Sequence, residues 1–311
     1  MASSLKGRDV LSIADLSQDE IYHVLSKAIE LKRLLRTGYD HRYLKGKTVA
    51  LIFYKPSTRT RVSFETGISQ MGAYPIYLNV NDLQLGRGES IEDTGKVLSR
   101  YVNAIVVRTY SQREIRALAK AADVPVINGL TDEHHPCQVL ADLMTILEAK
   151  DRLAGLKLAY LGDGNNVANS LILSAPRVNM SISVATPPGY EPKDSILKMA
   201  ERNITSPMCK IEVTNRPKQA LRNADVIYTD VWVSMGQEAE REERMAAFQP
   251  FQVNKEMIAN AKSDAIVMHC LPAHRDEEIT SEVLDSPNSV VFDQAENRLH
   301  VQKALLMLLL R

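Results

Sequence analysis

The chain has 311 residues, long enough for two domains with separate cores, and its 38 basic residues balance 38 acidic ones, so net charge points to neither nucleic acid nor an anionic membrane. A small-molecule partner is the better expectation. The longest apolar stretch, Leu305 to Leu310, is far short of the ~20 residues needed to cross a bilayer and closes an amphipathic C-terminal helix.

The start, MASSLKGRDVLSIADLS, has no long apolar segment, so no signal peptide is read and a cytoplasmic location is expected. Ser17 with Glu20 three residues on forms a capping box ahead of Ile21, Val24, Leu25 and Ile29, which marks the first helix. Strand-like runs then recur at 47–54, 74–79, 103–109 and 125–128, most followed by a helical pattern, which predicts βαβ units and a parallel sheet. A helix over about 138–150 runs into the polar stretch 151–155 with its helix-stop glycine, so a first domain over 1–150 is expected. The alternation restarts at 157–162, 180–186, 210–214, 225–231, 264–270 and 289–293, giving a second domain over 151–295. A last helix from about 296 is expected to pack back on the first domain. The predicted fold class is α/β, two doubly wound parallel-sheet domains joined by interdomain helices.

In open α/β sheets ligands bind beyond the carboxyl ends of strands, so the residues after each strand carry the functional argument. Ser57-Thr58-Arg59-Thr60-Arg61 follows the first strand and precedes the helical spacing of Val62, Phe64, Ile68 and Met71. A helix N-terminus carries about half a positive charge, so arginines there are disfavoured unless an anion lies among the guanidinium groups, hydroxyls and backbone N–H groups. Phosphate fits such a site; solvated arginines on a capped helix are the plainer alternative. Arg108, at the end of another strand, is a third cation for the same anion or an ordinary surface arginine. His135 and Gln138 sit three apart where Pro136 opens a helix, so both can address one ligand, or His135 simply caps it.

The loop Gly162-Asp163-Gly164-Asn165-Asn166 invites a dinucleotide reading, but Val167 stands where the third glycine of that fingerprint belongs. Asn166, both donor and acceptor, suits a carboxylate or amide. Asp230 and Ser234, flanking the only tryptophan, suit a substrate ammonium; the alternative is that Asp230 caps a turn. His269, Cys270 and His274 approach a metal spacing, but Pro272 and the nonhelical setting argue against a metal. The three cysteines 137, 209 and 270 lie far apart, which predicts neither disulfides nor a zinc site. Any cysteine function is that of a lone thiol.

The segments STRTR, HPCQ, DGNN, DVWVSMG, HCLPAHR and AENR, in this order and at this spacing, resemble the transcarbamoylases over nearly the whole chain. The resemblance implies carbamoyl transfer from carbamoyl phosphate to an amine, a trimer or multiple of trimers with shared active sites, and no metal or organic cofactor. By it, Ser57, Thr58, Arg59, Thr60 and Arg108 hold the phosphate together with Arg298, while His135 and Gln138 address the carbamoyl group. Asn166, Asp230, Ser234 and Met235 would bind the α-carboxylate and α-ammonium of L-ornithine, and Cys270 and the Leu271 carbonyl approach the reacting atoms. Cys270, Arg108 and His135 are the implied catalytic groups, and Gln84 falls in a loop that the family contributes across a subunit interface. An aspartate-specific relative would carry a lysine in the 84–90 loop and a His-Pro-Leu-Pro-Arg segment, both absent here, and a putrescine-specific one would lack Ser234, Met235 and Gly236. Ornithine is therefore the expected acceptor, giving citrulline and serving arginine biosynthesis. Another amine (putrescine or lysine) or a non-catalytic metabolite-binding role are the alternatives. Pro176 departs from the family by interrupting an expected long helix.

Overall fold

The computed structural model describes residues 4–234 and 236–311. Contacts divide the chain into two compact units, residues up to Met144 together with Glu296–Arg311, and Thr145–Ala295.

The first unit holds α1 (Gln18–Arg36), β1 (Thr48–Phe53), α2 (Thr58–Gln70), β2 (Tyr74–Asn79), α3 (Ile91–Leu98), β3 (Ala104–Arg108), α4 (Gln112–Ala121), β4 (Val126–Leu130) and the start of α5 (Pro136–Lys150). Its four strands are parallel in the order β2-β1-β3-β4. The central strands β1 and β3 are near-continuous apolar runs, as burial on both faces requires. Ser17 caps α1: its hydroxyl accepts from the Glu20 amide at 3.3 Å while the Glu20 carboxylate accepts from the Ser17 amide at 2.8 Å, the reciprocal bonds expected from the sequence. In α2, Phe64, Ile68 and the capping Met71 are buried, but Val62 faces outward.

The second unit continues with β5 (Lys157–Leu161), α6 (Asn166–Ser174), β6 (Ser181–Ala185), α7 (Asp194–Glu201), β7 (Ile211–Thr214), α8 (Pro217–Leu221), β8 (Val226–Thr229), α9 (Arg241–Phe248), α10 (Lys255–Ile258), β9 (Ile266–His269) and α11 (Ser281–Leu284). Its five strands, again parallel, run β7-β6-β5-β8-β9.

The expected sixth strand at 289–293 does not form. Only Ser289 bridges to Val267, and α12 (Val291–Leu310) starts at once, five residues before the expected helix. By contacts, the division between the units falls inside α5, between Met144 and Thr145. Pro176 acts as its lack of an N–H and its ring dictate: α6 ends at Ser174 and a short 3-10 turn, Pro176–Val178, follows. Among the described residues no helix is long and apolar enough to cross a membrane.

Replacing Ser17 by alanine removes one of the two reciprocal capping bonds and should cost about 1 kcal/mol. The midpoint of denaturant unfolding followed by circular dichroism should fall at unchanged slope; an unmoved midpoint would show that the cap adds nothing to α1.

Candidate active site

Each sheet has one place where successive connections leave in opposite directions, and loops there form a ligand crevice. In the first sheet it lies between β1 and β3, in the second between β5 and β8. The loops after these four strands begin at Tyr54, Thr109, Gly162 and Asp230.

At the first switch point, Phe53 is in register with Arg108, and the Tyr54 amide donates to the Arg108 carbonyl at 2.9 Å, which sets the start of the 55–57 loop beside that arginine. Ser57 caps α2, its hydroxyl accepting from the Thr60 amide at 3.3 Å, and Thr58, Arg59 and Thr60 form the first turn. The remaining N–H groups of that turn and the helix dipole favour an anion there. Arg298, on α12 within the same unit, donates from Nη2 to the buried Thr60 hydroxyl at 2.7 Å. Arg108 and Arg298 are themselves buried. His135 is buried too, and burial first, then the guanidinium groups of Arg298 and Arg108, hold it well below the ordinary histidine range. It is therefore a neutral imidazole at pH 7, a hydrogen-bond donor or acceptor and not a cation. Gln138 donates from Nε2 to Asp142 at 2.9 Å, and its buried Oε1 has no partner among the described residues, so an acceptor oxygen is left for a ligand N–H.

Arg61 does not join this group. Arg61 lies with its guanidinium 3.6 Å from the Tyr77 ring centroid and donates from Nε to Glu65 at 3.1 Å. Residues two apart on a helix do not face one way, so Arg59 and Arg61 cannot both point at one anion, whereas Arg61 and Glu65, four apart, can pair. Gln84 sits exposed at the start of a short turn, Gln84–Arg87, with no side-chain hydrogen bond to residues 57–60 among those described.

At the second switch point the acid is Asp230. Its Oδ1 accepts from the Cys270 thiol and from the Val231 amide, both at 2.9 Å, and its Oδ2 accepts from Asn165 Nδ2 at 2.8 Å. Asn165 also caps α6, its Oδ1 accepting from the Val167 and Ala168 amides, so one side chain fixes both the helix start and the acid. Asn166 is the first residue of α6. The glycine of the loop serves chain approach and not a pyrophosphate: a Cβ on Gly164 would stand 2.5 Å from the Pro192 nitrogen and 2.7 Å from the Tyr190 carbonyl oxygen. Tyr160 beneath the site is held far above the ordinary phenol range by burial and by Asp230, Asp163 and Cys270, so it stays protonated.

The loop after β9 is set by a buried acid that the sequence reading did not single out. Glu278 Oε1 accepts from His269 Nε2 at 3.0 Å and from the His274 amide at 2.7 Å, while His269 Nδ1 accepts from the Leu271 amide at 2.9 Å. Leu271 adopts φ +56°, a left-handed conformation costly for a bulky residue, and this bond holds it there. Asp230, His269 and Cys270 each offer a donor atom within 4.8 Å of the others, but both nitrogens of His269 are already engaged. Arg244 also escaped the sequence reading: it donates from Nη1 to Asp163 at 2.9 Å and to the Trp232 carbonyl at 3.1 Å, and from Nε to Glu240 at 2.8 Å. Burial raises the Asp163 carboxyl despite that arginine. Ser234 donates its amide to Gln237 Oε1 at 3.0 Å, and Met235 lies outside the described residues. The doubled asparagine at a helix start was the available signal for Asn165, because the cap and the first helical residue need different side-chain directions.

Polar groups thus gather at the switch points of two parallel sheets, and comparison with known proteins gives the class: a group-transfer enzyme of the transcarbamoylase kind. Residues 8–148 match the carbamoyl-P binding domain and residues 154–309 the Asp/Orn binding domain of aspartate/ornithine carbamoyltransferase, and the chain belongs to that family. The ornithine carbamoyltransferase of Thermococcus kodakarensis is 57% identical over 310 residues, covering 100% of this chain and 98% of that protein. The anabolic ornithine carbamoyltransferase of Pyrococcus furiosus is 55% identical over the same length, covering 100% of this chain and 98% of its own. A solved structure of ornithine carbamoyltransferase from Pyrococcus furiosus superposes with a TM-score of 0.96 at 55% identity, covering 99% of each chain. The crystal structure of the Gloeobacter violaceus enzyme gives 0.87 at 43% identity, covering 98% of this chain and 99% of that one.

The three thiols differ sharply in environment. Burial pushes Cys137 up to about 12 and raises Cys209, while Cys270 is only partly buried. A thiol reacts as the thiolate, so at pH 8 iodoacetamide should modify the native protein at Cys270 alone, as read by peptide mass spectrometry. Comparable labelling of Cys137 would contradict the buried placement of α5.

Proposed function

We infer that this chain transfers the carbamoyl group of carbamoyl phosphate to the δ-amine of L-ornithine, giving L-citrulline and phosphate. The observation that carries the reading is Asp230: a buried carboxylate bonded to Cys270 and Asn165, beside Asn166 at a helix start, offers an ammonium and a carboxylate what each needs. An acceptor bearing both groups on one carbon, with a second amine further out, matches that arrangement.

Ser57, Thr58, Arg59 and Thr60 with the first turn of α2, joined by Arg108 and Arg298, hold the phosphate dianion. The neutral His135 donates an N–H to the carbamoyl oxygen and Gln138 Oε1 accepts from the carbamoyl nitrogen. The δ-amine must attack as the free base, although an alkyl ammonium has a pKa near ~10. The Cys270 thiol, donating to Asp230, keeps sulfur lone pairs that accept a hydrogen bond from that amine, and the Leu271 carbonyl accepts another. The C–N bond forms as the C–O bond to phosphate breaks, the departing phosphate takes the proton lost by the attacking nitrogen, and the charge that builds on the carbamoyl oxygen and on phosphate meets fixed donors that need not reorganise. Asn166, Asp230, Ser234 and Met235 hold the α-substituents of ornithine.

We further propose a homotrimer, or a multiple of one, in which Gln84 completes a neighbouring subunit's site; its exposure on a short turn supports this. The reaction needs no organic cofactor or metal, and the balanced charge fits small-molecule substrates in the cytoplasm without nucleic acid or membrane. The name anabolic carried by the Pyrococcus furiosus relative supports a role in arginine biosynthesis.

A colorimetric ureido assay with carbamoyl phosphate and, separately, ornithine, putrescine, lysine and aspartate tests the reading. Rapid product with ornithine alone is expected; product with another amine would overturn the assignment of the 230–236 loop. Replacing Arg59 by alanine should lower turnover by at least ~10²–10³ with the fold intact by circular dichroism, the loss typical of one such contact. Near-normal turnover would remove the phosphate cradle. Replacing Asp230 by alanine should raise the KM for ornithine far more than that for carbamoyl phosphate, and equal changes would count against it as the ammonium site.

A further inference from the structure

The geometry points to Lys303 as a positioning residue for the phosphate-binding helix, latching the far end of α2 to α12 as Arg298 latches its near end. This rests on the reading of the Ser57–Thr60 turn as the carbamoyl phosphate site. Lys303 is fully buried, and its Nζ donates to Oε1 of Gln70, the last residue of α2, at 3.0 Å. It also donates to His41 Nε2 at 3.3 Å. The direction of that second bond follows from the other ring nitrogen: His41 Nδ1 faces the Tyr39 carbonyl at 3.0 Å and must carry the proton, which leaves Nε2 as an acceptor. No carboxylate lies within ion-pair distance of Lys303 among the described residues.

The helices approach closely along this line. A Cβ on Gly67 would stand 3.0 Å from Lys303 Cγ and 3.3 Å from Leu299 Cδ1, so α12 lies against the α2 backbone where only hydrogen is accommodated without adjustment. α12 thus grips α2 at Thr60 through Arg298 and at Gln70 through Lys303. The two ends of α2 have opposite electrostatic demands. The N-terminal turn favours the phosphate, and the C-terminal end, with its unpaired carbonyls, favours a cation. A buried ammonium at Gln70 meets the second demand while its bonds hold the helix axis.

A lysine without an acid partner is costly to bury, and burial lowers Lys303 to about 8. The folded value lies below the ordinary 10.5, so the latch is cationic below about pH 8 and loses its charge above it. The neighbouring groups are His41 from the loop after α1, Gln70 from α2, and His300 one turn earlier on α12. Further along, Lys32 of α1 donates to Asn297 at 2.8 Å and Arg36 pairs with Glu296 at 3.2 Å. Burial and then Lys303 bring His300 down to about 4, so it stays neutral throughout the range that matters.

The test measures binding of phosphonoacetamide, the methylene analogue of carbamoyl phosphate, to the whole enzyme by calorimetry from pH 7 to 9.5 without ornithine. Lys303→Met keeps the chain length and loses the charge and donors. It should weaken binding about tenfold at pH 7, and the gap in Kd should narrow as pH passes 8, because there the unaltered lysine loses its charge while its neutral amine keeps two N–H donors for Gln70 and His41. The KM for ornithine should stay within twofold. Gln70→Glu sets a carboxylate beside Lys303, holds its proton to higher pH, and should extend tight binding upward by about a pH unit; it carries the test if Lys303→Met does not fold. Equal Kd values at pH 7, a ratio that does not change with pH, or a Gln70→Glu profile superposing on the unaltered one would each overturn the latch. Failure of the unaltered enzyme to bind the analogue would instead overturn the carbamoyl phosphate reading, and the latch's role in that site with it.

Discussion

A parallel sheet ends all its strands on one edge, and wherever the chain begins to wind the other way the adjacent loops separate and leave a crevice. Both units place their chemistry there. In the first, the crevice lies between β1 and β3, and the residues that follow them supply Ser57–Thr60 and Arg108; in the second, between β5 and β8, Asn166 and Asp230. The remaining polar groups arrive from further away: Arg298 from α12 and Cys270 from the next strand over. The order of the strands therefore determines which residues can become ligands, and the surrounding hydrogen bonds determine how well they are held.

The two crevices are held by different means. The first concentrates positive charge, with a helix dipole, three guanidinium groups and an imidazole kept neutral by burial and then by its cationic neighbours. The second is organised around carboxylates, with Asp230 supported by Asn165 and Glu278 supporting the loop after β9. Each oxygen of Asp230 already has a donor, so an incoming ammonium adds to an existing arrangement and does not have to create one.

The sequence made the strand alternation legible, and with it the positions at which the candidate residues stand, since a buried parallel strand is a short apolar run and its carboxyl end is a fixed place to look. It failed where two local signals compete. Residues Val290 to Phe292 carry strand-favouring side chains, yet α12 extends back to Val291 and takes them. Arg59 and Arg61 read alike as a pair of anion ligands, but helical geometry separates them and Glu65 takes the second. Asn165 was legible as a helix cap but not as the support of Asp230, and Arg244 and Glu278 were not legible because their importance lies in tertiary bonds, to Asp163 and to His269. Gln138 was legible as a candidate from its spacing to His135, whereas the partner that orients it, Asp142, was not.

The locked histidine beside Cys270 bears on how the enzyme can cycle. A cysteine nucleophile needs a neighbouring base to take its proton, and His269 is unavailable for that, with one nitrogen committed to Leu271 and the other to Glu278. The thiol proton points at Asp230, whose two oxygens also accept from Val231 and Asn165 and which is assigned to the α-ammonium of the acceptor. A carbamoylated cysteine is therefore disfavoured, and without one the reaction cannot be split into two half-reactions. With no carbamoyl-enzyme, phosphate would leave only once the acceptor is bound, and carbamoyl phosphate, a reactive acyl donor, would not be drained into water while the enzyme waits for its amine.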